Sequence, residues 1–321
     1  MADPGQGWEQ EHALGGLVVP PVLGAEPLGS EDVDRLRRVV SRLVGLDAQH
    51  GGRAIAPLAA RVFRATTALL AAGRYAPSVE RDLLAVTAEL GEVAGWLAFD
   101  SARFDAARGL NRQALRLARL AGDRGMELFV LGNTALQAHE TGRPRAALDA
   151  VELMETRPLS PRLRALAGLR RARAAAALGD DRAFAVLARA RSDLSDGVHR
   201  TDPEWSWWVT DRELAVHEGE VWRAVGEPAR AVERYAAAVG ATAERYRWAR
   251  FIGGAFLLDA LVGLRDWRDA EHAALALHRL AEHVGSGRAA LRIRAAASAA
   301  RRGGAPSSLD DTLVALVRRT S

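Results

Sequence analysis

The stretch LGEVAGWLAFDSARFDAARGLNRQALRLA, residues Leu90 to Ala118, decides the fold of this chain. Two helical patterns of apolar residues run through it, and the pair Asp100–Ser101 separates them. Small residues stand at Gly95, Ala107 and Ala114, where two helices can cross closely. This is the layout of two helices joined by a tight turn, a unit that buries its apolar face only when copies of it stack.

Similar units follow along the chain and align on the tight turn between their helices. The aligned turns lie at Ala102, Gly142, Gly179, Gly226 and Arg265, at intervals of about 40, 37, 47 and 39 residues. Small residues recur five positions after the turn, at Ala107, Ala147, Ala231 and Ala270, with Phe184 as the exception. Seven positions before the turn come Gly95, Ala135, Gly219 and Leu258. The intervals exceed the period of about 34 residues that is standard for one class of such repeats, so longer helices or longer loops between repeats are expected.

The sequence predicts three parts of the chain. They are a flexible arm over residues 1–29, a helical repeat domain over 30–284, and capping helices over 285–321. The arm is rich in Gly and Pro, which favour loops. Ser30 is the predicted N-cap of the first helix, because acidic residues follow it in the first turn. The last part has helical patterns near Arg288–Arg301 and Leu309–Arg318, and a stack of helix pairs needs such helices to cover its open end.

Three segments resemble a known family. The run LLAVTAELGEVAGWLAFDSARFDAARGLNRQALRLARLAGDR (83–124), the motif LDAQHGG (46–52) and the motif DPEWSWW (202–208) are similar to segments of tetratricopeptide-repeat (TPR) regulatory proteins of Streptomyces-type actinobacteria. The resemblance spans about residues 31–280 and matches the repeat region of Xre-type regulators without their helix-turn-helix domain. It implies an all-α, TPR-like right-handed α-solenoid of about five helix pairs with capping helices, and a regulatory role.

Composition limits the function classes. Hydrophobic residues make up 49% of the chain, aromatic residues only 6%, and cysteine is absent, which excludes disulfides and cysteine-rich zinc sites. All 44 basic side chains are arginines, and the net charge of +4 is modest for a nucleic-acid binder. No signal peptide and no apolar stretch of membrane length is visible, so a cytoplasmic location without membrane contact is expected.

A partner-binding groove is predicted from the first helix of each pair, which lines the concave face in TPR arrays. The residues placed on that face are Glu89, Glu92, Trp96, Phe99, Phe129, Asn133, His139, Arg170, Arg173, His217, Glu220, Phe256 and Asp259. Aromatic anchors with flanking charges suit an extended peptide or an amphipathic helix. Arg170 and Arg173, with Asn133, are suited to holding a carboxylate. The alternative is that the aromatic side chains pack against neighbouring helices and the charges are solvated.

A second candidate is the aromatic cluster of Trp205, Trp207 and Trp208, which follows Asp202-Pro203 at a predicted helix start. One interpretation is an aromatic wall for a ligand or a partner helix. The other, which we favour, is a hydrophobic plug that docks the long loop before the fourth unit.

Two runs of arginine are candidate anion-binding sites. The first covers Arg157 to Arg173, where the arginines fall on nearly opposite sides of a helix, which favours ordinary solvation. The second covers Arg288 to Arg302 and is the better candidate for binding an anion.

Catalytic and metal-binding motifs are missing from the sequence. There is no HExxH, no lysine for a phosphate-binding GxxxxGK loop and no GxSxG. Adjacent His and acidic residues such as His217-Glu218 point about 100° apart on a helix and do not chelate. The sequence thus predicts a non-enzymatic protein without cofactor or metal.

The predicted function is that of a cytoplasmic regulatory or scaffold protein that binds a protein or peptide partner in a TPR groove. Two alternatives stay open. One is a transcription-linked regulator that contacts DNA directly, which the absence of a helix-turn-helix domain disfavours. The other is a small-molecule sensor with an enclosed pocket near Trp96 and Trp205. The sequence leaves open whether the chain forms a homodimer.

Overall fold

The computed structural model describes residues 27–320, which are almost entirely helical. The first five helices are α1 (Ser30–His50), α2 (Ala56–Ala71), α3 (Glu80–Asp100), α4 (Phe104–Ala121) and α5 (Arg124–Glu140). They are followed by α6 (Pro144–Glu155), α7 (Pro161–Ala177), α8 (Ala183–Ser195), α9 (Asp211–Ala224), α10 (Pro228–Gly240), α11 (Arg247–Leu264), α12 (Trp267–Leu280), α13 (Gly287–Arg302) and α14 (Ser307–Thr320). The predicted all-α class is confirmed for this part of the chain.

Residues 27–320 also contain a few short elements. Two 3-10 helices cover Pro77–Val79 and Glu204–Trp208, and an isolated backbone bridge joins Leu28 to Tyr75. Of the predicted N-terminal arm, only its last three residues are described, and the rest lies outside the described residues. No helix within residues 27–320 combines the length and the apolar character needed to cross a membrane.

The chain forms two compact units, the first ending at Val130 and the second beginning at Leu131. In the first unit, α3 packs against α1, α2 and α4. The motif LDAQHGG docks the end of α1 onto α3. Asp47 accepts a hydrogen bond from Nε1 of Trp96 (3.0 Å), and the amide of Gly52 donates to the buried carboxylate of Asp100 (2.9 Å).

The stretch from Leu90 to Ala118 covers the second half of α3, the turn at Ala102 and most of α4. The helices cross where α3 carries Gly91 and Gly95. A Cβ at Gly91 would lie 2.7 Å from the ring of Phe63 and 3.1 Å from Ala114, and a Cβ at Gly95 would collide with the side chain of Asn111. The small residues thus let the two helices approach closely, as the spacing predicted.

Each of the five aligned turn positions adopts the left-handed backbone conformation. The φ angles are 60° at Ala102, 73° at Gly142, 74° at Gly179, 84° at Gly226 and 58° at Arg265. Ala102 and Arg265 are the two non-glycine residues with positive φ in the part of the chain that the structure describes. The alignment therefore identified a shared backbone geometry even where the turn residue is not glycine.

The second unit repeats one packing scheme. Consecutive helices pair as α7 with α8, α9 with α10, α11 with α12, and α13 with α14. The first helices of successive pairs also contact each other, α7 with α9 and α11 with α13. The C-terminal helices share one core with the preceding pair, since Ile293 and Leu313 cluster with Phe251, Leu258 and Leu277.

The N-cap of α1 differs from the predicted one. Gly29 is the N-cap of α1 instead of Ser30, and its amide donates a hydrogen bond to Asp32 (3.0 Å). The acidic residue in the first turn supplies the capping contact, so the hydroxyl of Ser30 is not needed for it. Pro144 and Pro228 begin α6 and α10, where proline lacks only a hydrogen bond that the helix does not make.

Candidate functional site

Alternate helices of the second unit bring charged side chains together on one face. These are the C-terminal half of α5 and the helices α7, α9, α11 and α13, the first helices of their pairs. The predicted groove residues found on this face are Asn133, His139, Arg170, Arg173, His217, Glu220, Phe256 and Asp259. We call this set, together with Glu140, Glu213, Arg223, Tyr235, Arg288 and Arg292, the inner charge network.

Arg173 lies at the centre of the inner charge network. Its Nη2 is 3.0 Å from Oε2 of Glu220 and 3.4 Å from Oε1 of Glu140, and 2% of its side chain is exposed. Glu220 is equally buried, at 3%. α5, α7 and α9 are thereby connected through one guanidinium.

Arg170 lies one helical turn earlier on the same face of α7. Its Nε donates to the carbonyl oxygen of Gly132 (3.2 Å), and its Nη1 contacts Nε2 of His217 and Oε1 of Glu213 (3.4 Å). The ring of His217 is also 3.1 Å from Glu213, one turn away on α9. The predicted arginine pair does hold carboxylates, and the carboxylates belong to the same chain.

Arg292 extends the network to α11 and α13. Its Nη1 is 3.0 Å from Oδ2 of Asp259 and 3.8 Å from Oε1 of Glu220, and its guanidinium lies 3.9 Å from the ring centroid of Phe256. The hydroxyl of Tyr235 donates to Oε1 of Glu220 at 2.5 Å. Glu220 thus receives contacts from three helices besides its own.

Arg288, one turn before Arg292 on α13, pairs with Glu140 at 2.7 Å. The side chains are 8% and 14% exposed, and the residues are 148 positions apart in sequence. This ion pair joins the first helix of the network to the last.

The arginines keep the buried carboxylates ionised. Burial by itself would raise the pKa of Glu140, but Arg288 and Arg173 outweigh it and lower the pKa to about 2. Burial opposes ionisation of Glu213 and Glu220 as well, and their pKa values are also lowered, by His217 and Arg170 for Glu213 and by Arg292 and Arg173 for Glu220. The carboxylates therefore stay charged at neutral pH.

Burial and the neighbouring arginines together keep the two histidines neutral. Burial, followed by the charge of Arg170, lowers the pKa of His217 to about 4. Burial, followed by the charge of Arg173, lowers the pKa of His139 to about 3. Each ring is a neutral hydrogen-bonding group at physiological pH.

Some buried polar atoms of the network have no hydrogen-bond partner among the described residues. They are Nε of Arg173, Nδ1 of His139 and Nδ1 of His217. An unsatisfied buried polar group costs roughly 1–3 kcal/mol, so such groups are uncommon in native proteins.

The predicted groove residues of the first unit lie in a different setting. Phe99 is fully buried between the rings of Trp96 (5.9 Å) and Phe104 (5.7 Å), and Glu92 is 2% exposed. Burial, followed by the charge of Asp123, raises the pKa of the half-buried Glu89. Phe129 is half-buried on α5. At Phe99 the structure shows a packing position, the alternative that the sequence had left open.

The aromatic cluster lies in the 3-10 helix Glu204–Trp208 rather than at the start of a longer helix. The rings of Trp205 and Trp208 are half-buried, 6.4 Å apart, while Trp207 is 58% exposed and lies 6.3 Å from Tyr246. Asp202 does not cap a helix here. It accepts hydrogen bonds from Ser160 (2.5 Å) and from the amide of His199 (2.7 Å), and ties the loop to the start of α7.

Sequence reasoning missed several members of the inner charge network. Glu140 and Tyr235 are not among the residues predicted for the groove, and Arg288 and Arg292 belong only to the predicted arginine run of a capping helix. The spacing of Arg288 and Arg292, four residues apart, was a usable signal, because it places both guanidinium groups on one face of α13.

Comparison of the chain with models of known protein families gives no match, and comparison with curated proteins gives none.

Proposed function

We propose that this chain is a cytoplasmic regulatory or scaffold protein without enzymatic activity, and that it binds a protein or peptide partner through the face that carries the inner charge network. We further propose that the helix pairs within each unit stack in the manner of a TPR-like right-handed α-solenoid. The left-handed residue at each of the five aligned turns and the contacts between first helices of successive pairs support this stacking.

One observation carries the proposal. Charged side chains from five alternate helices converge on one face, and their arginines already hold carboxylates by charge-assisted hydrogen bonds. Such bonds are roughly twice as strong as neutral ones, and arginine binds carboxylates in a defined geometry. A face that binds its own carboxylates in this way can bind those of a partner.

The depth of the network suggests where a partner begins to bind. Arg223 is 45% exposed, Asp259 25% and Arg292 21%, whereas Arg173 and Glu220 are buried. An acidic side chain of the partner would first meet Arg223 and Arg292, where it competes with Glu220 for Arg223 and with Asp259 for Arg292. Acidic peptides are the expected ligands, since clusters of arginine recognise acidic motifs.

Selection from a displayed peptide library on the full chain tests this proposal. We expect acidic peptides whose affinity falls by about tenfold in Arg223→Glu, since the reversed charge repels a partner carboxylate. Arg268→Glu is the matched control, because Arg268 is exposed on α12 outside the network. Selected peptides that bind wild type and Arg223→Glu equally would contradict the proposal.

A further inference from the structure

A second candidate site lies on a different face of α7 from the inner charge network. It is a cleft of about 730 Å³ between α7, α8 and the loop that follows α6. Its lining is made of Glu155, Thr156, Arg157, Pro158, Leu159, Arg164, Gly168, Arg171, Arg182, Ala185, Val186, Arg189, Ala190 and Asp193. We call it the arginine cleft. Its volume lies in the range of about 300–1,000 Å³ that is usual for small-molecule sites.

The charge of the arginine cleft is strongly unbalanced, with five arginines and two carboxylates in its lining. Each carboxylate is held by one arginine. Glu155 is 2.5 Å from Arg171, and Asp193 is 2.8 Å from Arg164. These pairs orient two guanidinium groups along the α7 wall.

The other arginines of the cleft have no carboxylate partner within it. Arg182 pairs with Asp180, which does not line the cleft. The side chains of Arg157 and Arg189 are exposed and form no ion pair or hydrogen bond with any residue in the range 27–320. Two cationic side chains at the cleft are therefore available to an anion.

The beginning of α8 borders the cleft. Arg182, the residue before α8, and Ala185 and Val186 of its first turns line it. The carboxylate of Asp180 accepts a hydrogen bond from the amide of Arg182 (3.0 Å) and also holds its guanidinium (2.7 Å). Arg157 and Arg189 are therefore the cationic groups of the cleft that are left for an anion.

The floor of the cleft is apolar. Leu159, Val186 and Ala190 form part of it, and α7 and α8 cross closely at Gly168, where a Cβ would lie 3.0 Å from Cβ of Ala190. A ligand that fits has an anionic group for the arginines and a compact apolar part for the floor. Guanidinium groups bind phosphate in a bidentate manner, and several can share the charge of one phosphate dianion.

We propose that the arginine cleft binds a small phosphate-bearing molecule, with its phosphate held by Arg157 and Arg189 and its apolar part on the floor. The binding site is separate from the inner charge network, so it adds a small ligand to a protein whose partner binds elsewhere.

The test is calorimetric titration of the full chain with inorganic pyrophosphate, the probe for the anionic part. We expect saturable binding to wild type and a loss of about tenfold in affinity in the double variant Arg157→Ala/Arg189→Ala. The control, Arg145→Ala/Arg268→Ala, removes the same charge from exposed positions outside the cleft and should change the affinity less than about twofold. Both variants change exposed side chains, so folding should be preserved.

A second pair of variants adds charge instead of removing it. Ala185→Glu places a carboxylate in the cleft and should abolish pyrophosphate binding, whereas Ala188→Glu adds the same charge on the side of α8 outside the cleft and should leave it nearly unchanged. Absence of saturable binding to wild type, or equal losses in the cleft and control variants, would overturn the proposal. Tighter binding of a duplex oligonucleotide, insensitive to Ala185→Glu, would also overturn it and indicate a polyanion-binding surface.

Discussion

The ring of Tyr235 on α10 lies directly against Gly219 on α9. A Cβ at Gly219 would come within 2.7 Å of Cδ1 and 2.8 Å of Cζ of this ring. The ring is fully buried, and its hydroxyl reaches the next residue of α9, Glu220. The close crossing of one helix pair and the inner charge network thus depend on the same side chain.

The first prediction concerns this crossing. Gly219→Ala should destabilise the protein by roughly 1–3 kcal/mol, because the added methyl group forces the buried ring or the helices to move. Gly263→Ala on α11 is the control, since a Cβ there meets no atom within 4 Å and alanine favours the helix by about 1 kcal/mol or less. Chemical denaturation measures both. Equal effects of the two substitutions would show that the crossing tolerates a Cβ.

The second prediction concerns acid stability. His217 and His139 have folded pKa values of about 4 and about 3, well below the value of about 6.5 expected in the unfolded chain. Between these values the unfolded state binds more protons than the folded state. The free energy of unfolding should therefore fall as the pH drops from about 6.5 towards 5, by up to about 1 kcal/mol per pH unit for each histidine.

Denaturant titrations at several pH values between 5 and 6.5 check this slope. The range stays above the region in which the carboxylates of the network titrate. His217→Gln should reduce the slope, while His272→Gln should keep it, because the side chain of His272 is 66% exposed. A wild-type slope near zero would show that the two histidines do not keep lowered pKa values.

The third prediction concerns the ion pair between Glu140 and Arg288. Either Glu140→Gln or Arg288→Met breaks this buried ion pair, but Arg173 remains beside Glu140, so each single variant should cost roughly 3 kcal/mol, the low end for a broken buried pair. The double variant should cost less than the sum of the two, because no unpaired charge remains at this pair.

The exposed pair of Arg301 and Asp310, 3.0 Å apart, provides the control for this double-mutant cycle. Its coupling should be about 0–1 kcal/mol, since solvent screens it. A coupling between Glu140 and Arg288 as small as this would mean that the two side chains do not meet in solution as they do in the structure.

Much of this fold follows from local sequence. The left-handed turn at Ala102 and the packing positions at Gly95 and Ala107 recur at fixed offsets, and short-range sterics determine both features. The inner charge network cannot be predicted from local sequence in the same way. Arg170 and Arg173 could be assigned to one face of a helix, but their partners depend on which helices lie opposite.

Glu140 and Arg288 show this limit most clearly. Their contact joins residues 148 positions apart, and no local pattern encodes it. Helix α13 was assigned to a cap from its position near the end of the chain, so its arginines were expected on a surface. Only the packing of α13 against α11 directs them towards α5 and α9.

The last prediction returns to the aligned turns. Ala102 and Arg265 adopt φ angles of 60° and 58°, where the Cβ of an L-residue clashes with its own backbone at a cost of roughly 1–2 kcal/mol. Ala102→Gly and Arg265→Gly should remove this cost. Glycine has a larger conformational entropy in the unfolded chain, and once that is subtracted each variant should stabilise the protein by about 0.5–1 kcal/mol.

The reverse change at an equivalent turn, Gly142→Ala, should destabilise the protein by about 1 kcal/mol. Ala106→Gly, at an exposed position inside α4, is the same substitution in a helical conformation and should cost about 1 kcal/mol. Thermal and denaturant unfolding of the four variants measures these signs, and destabilisation by Ala102→Gly comparable to that by Ala106→Gly would show that Ala102 is not left-handed in solution.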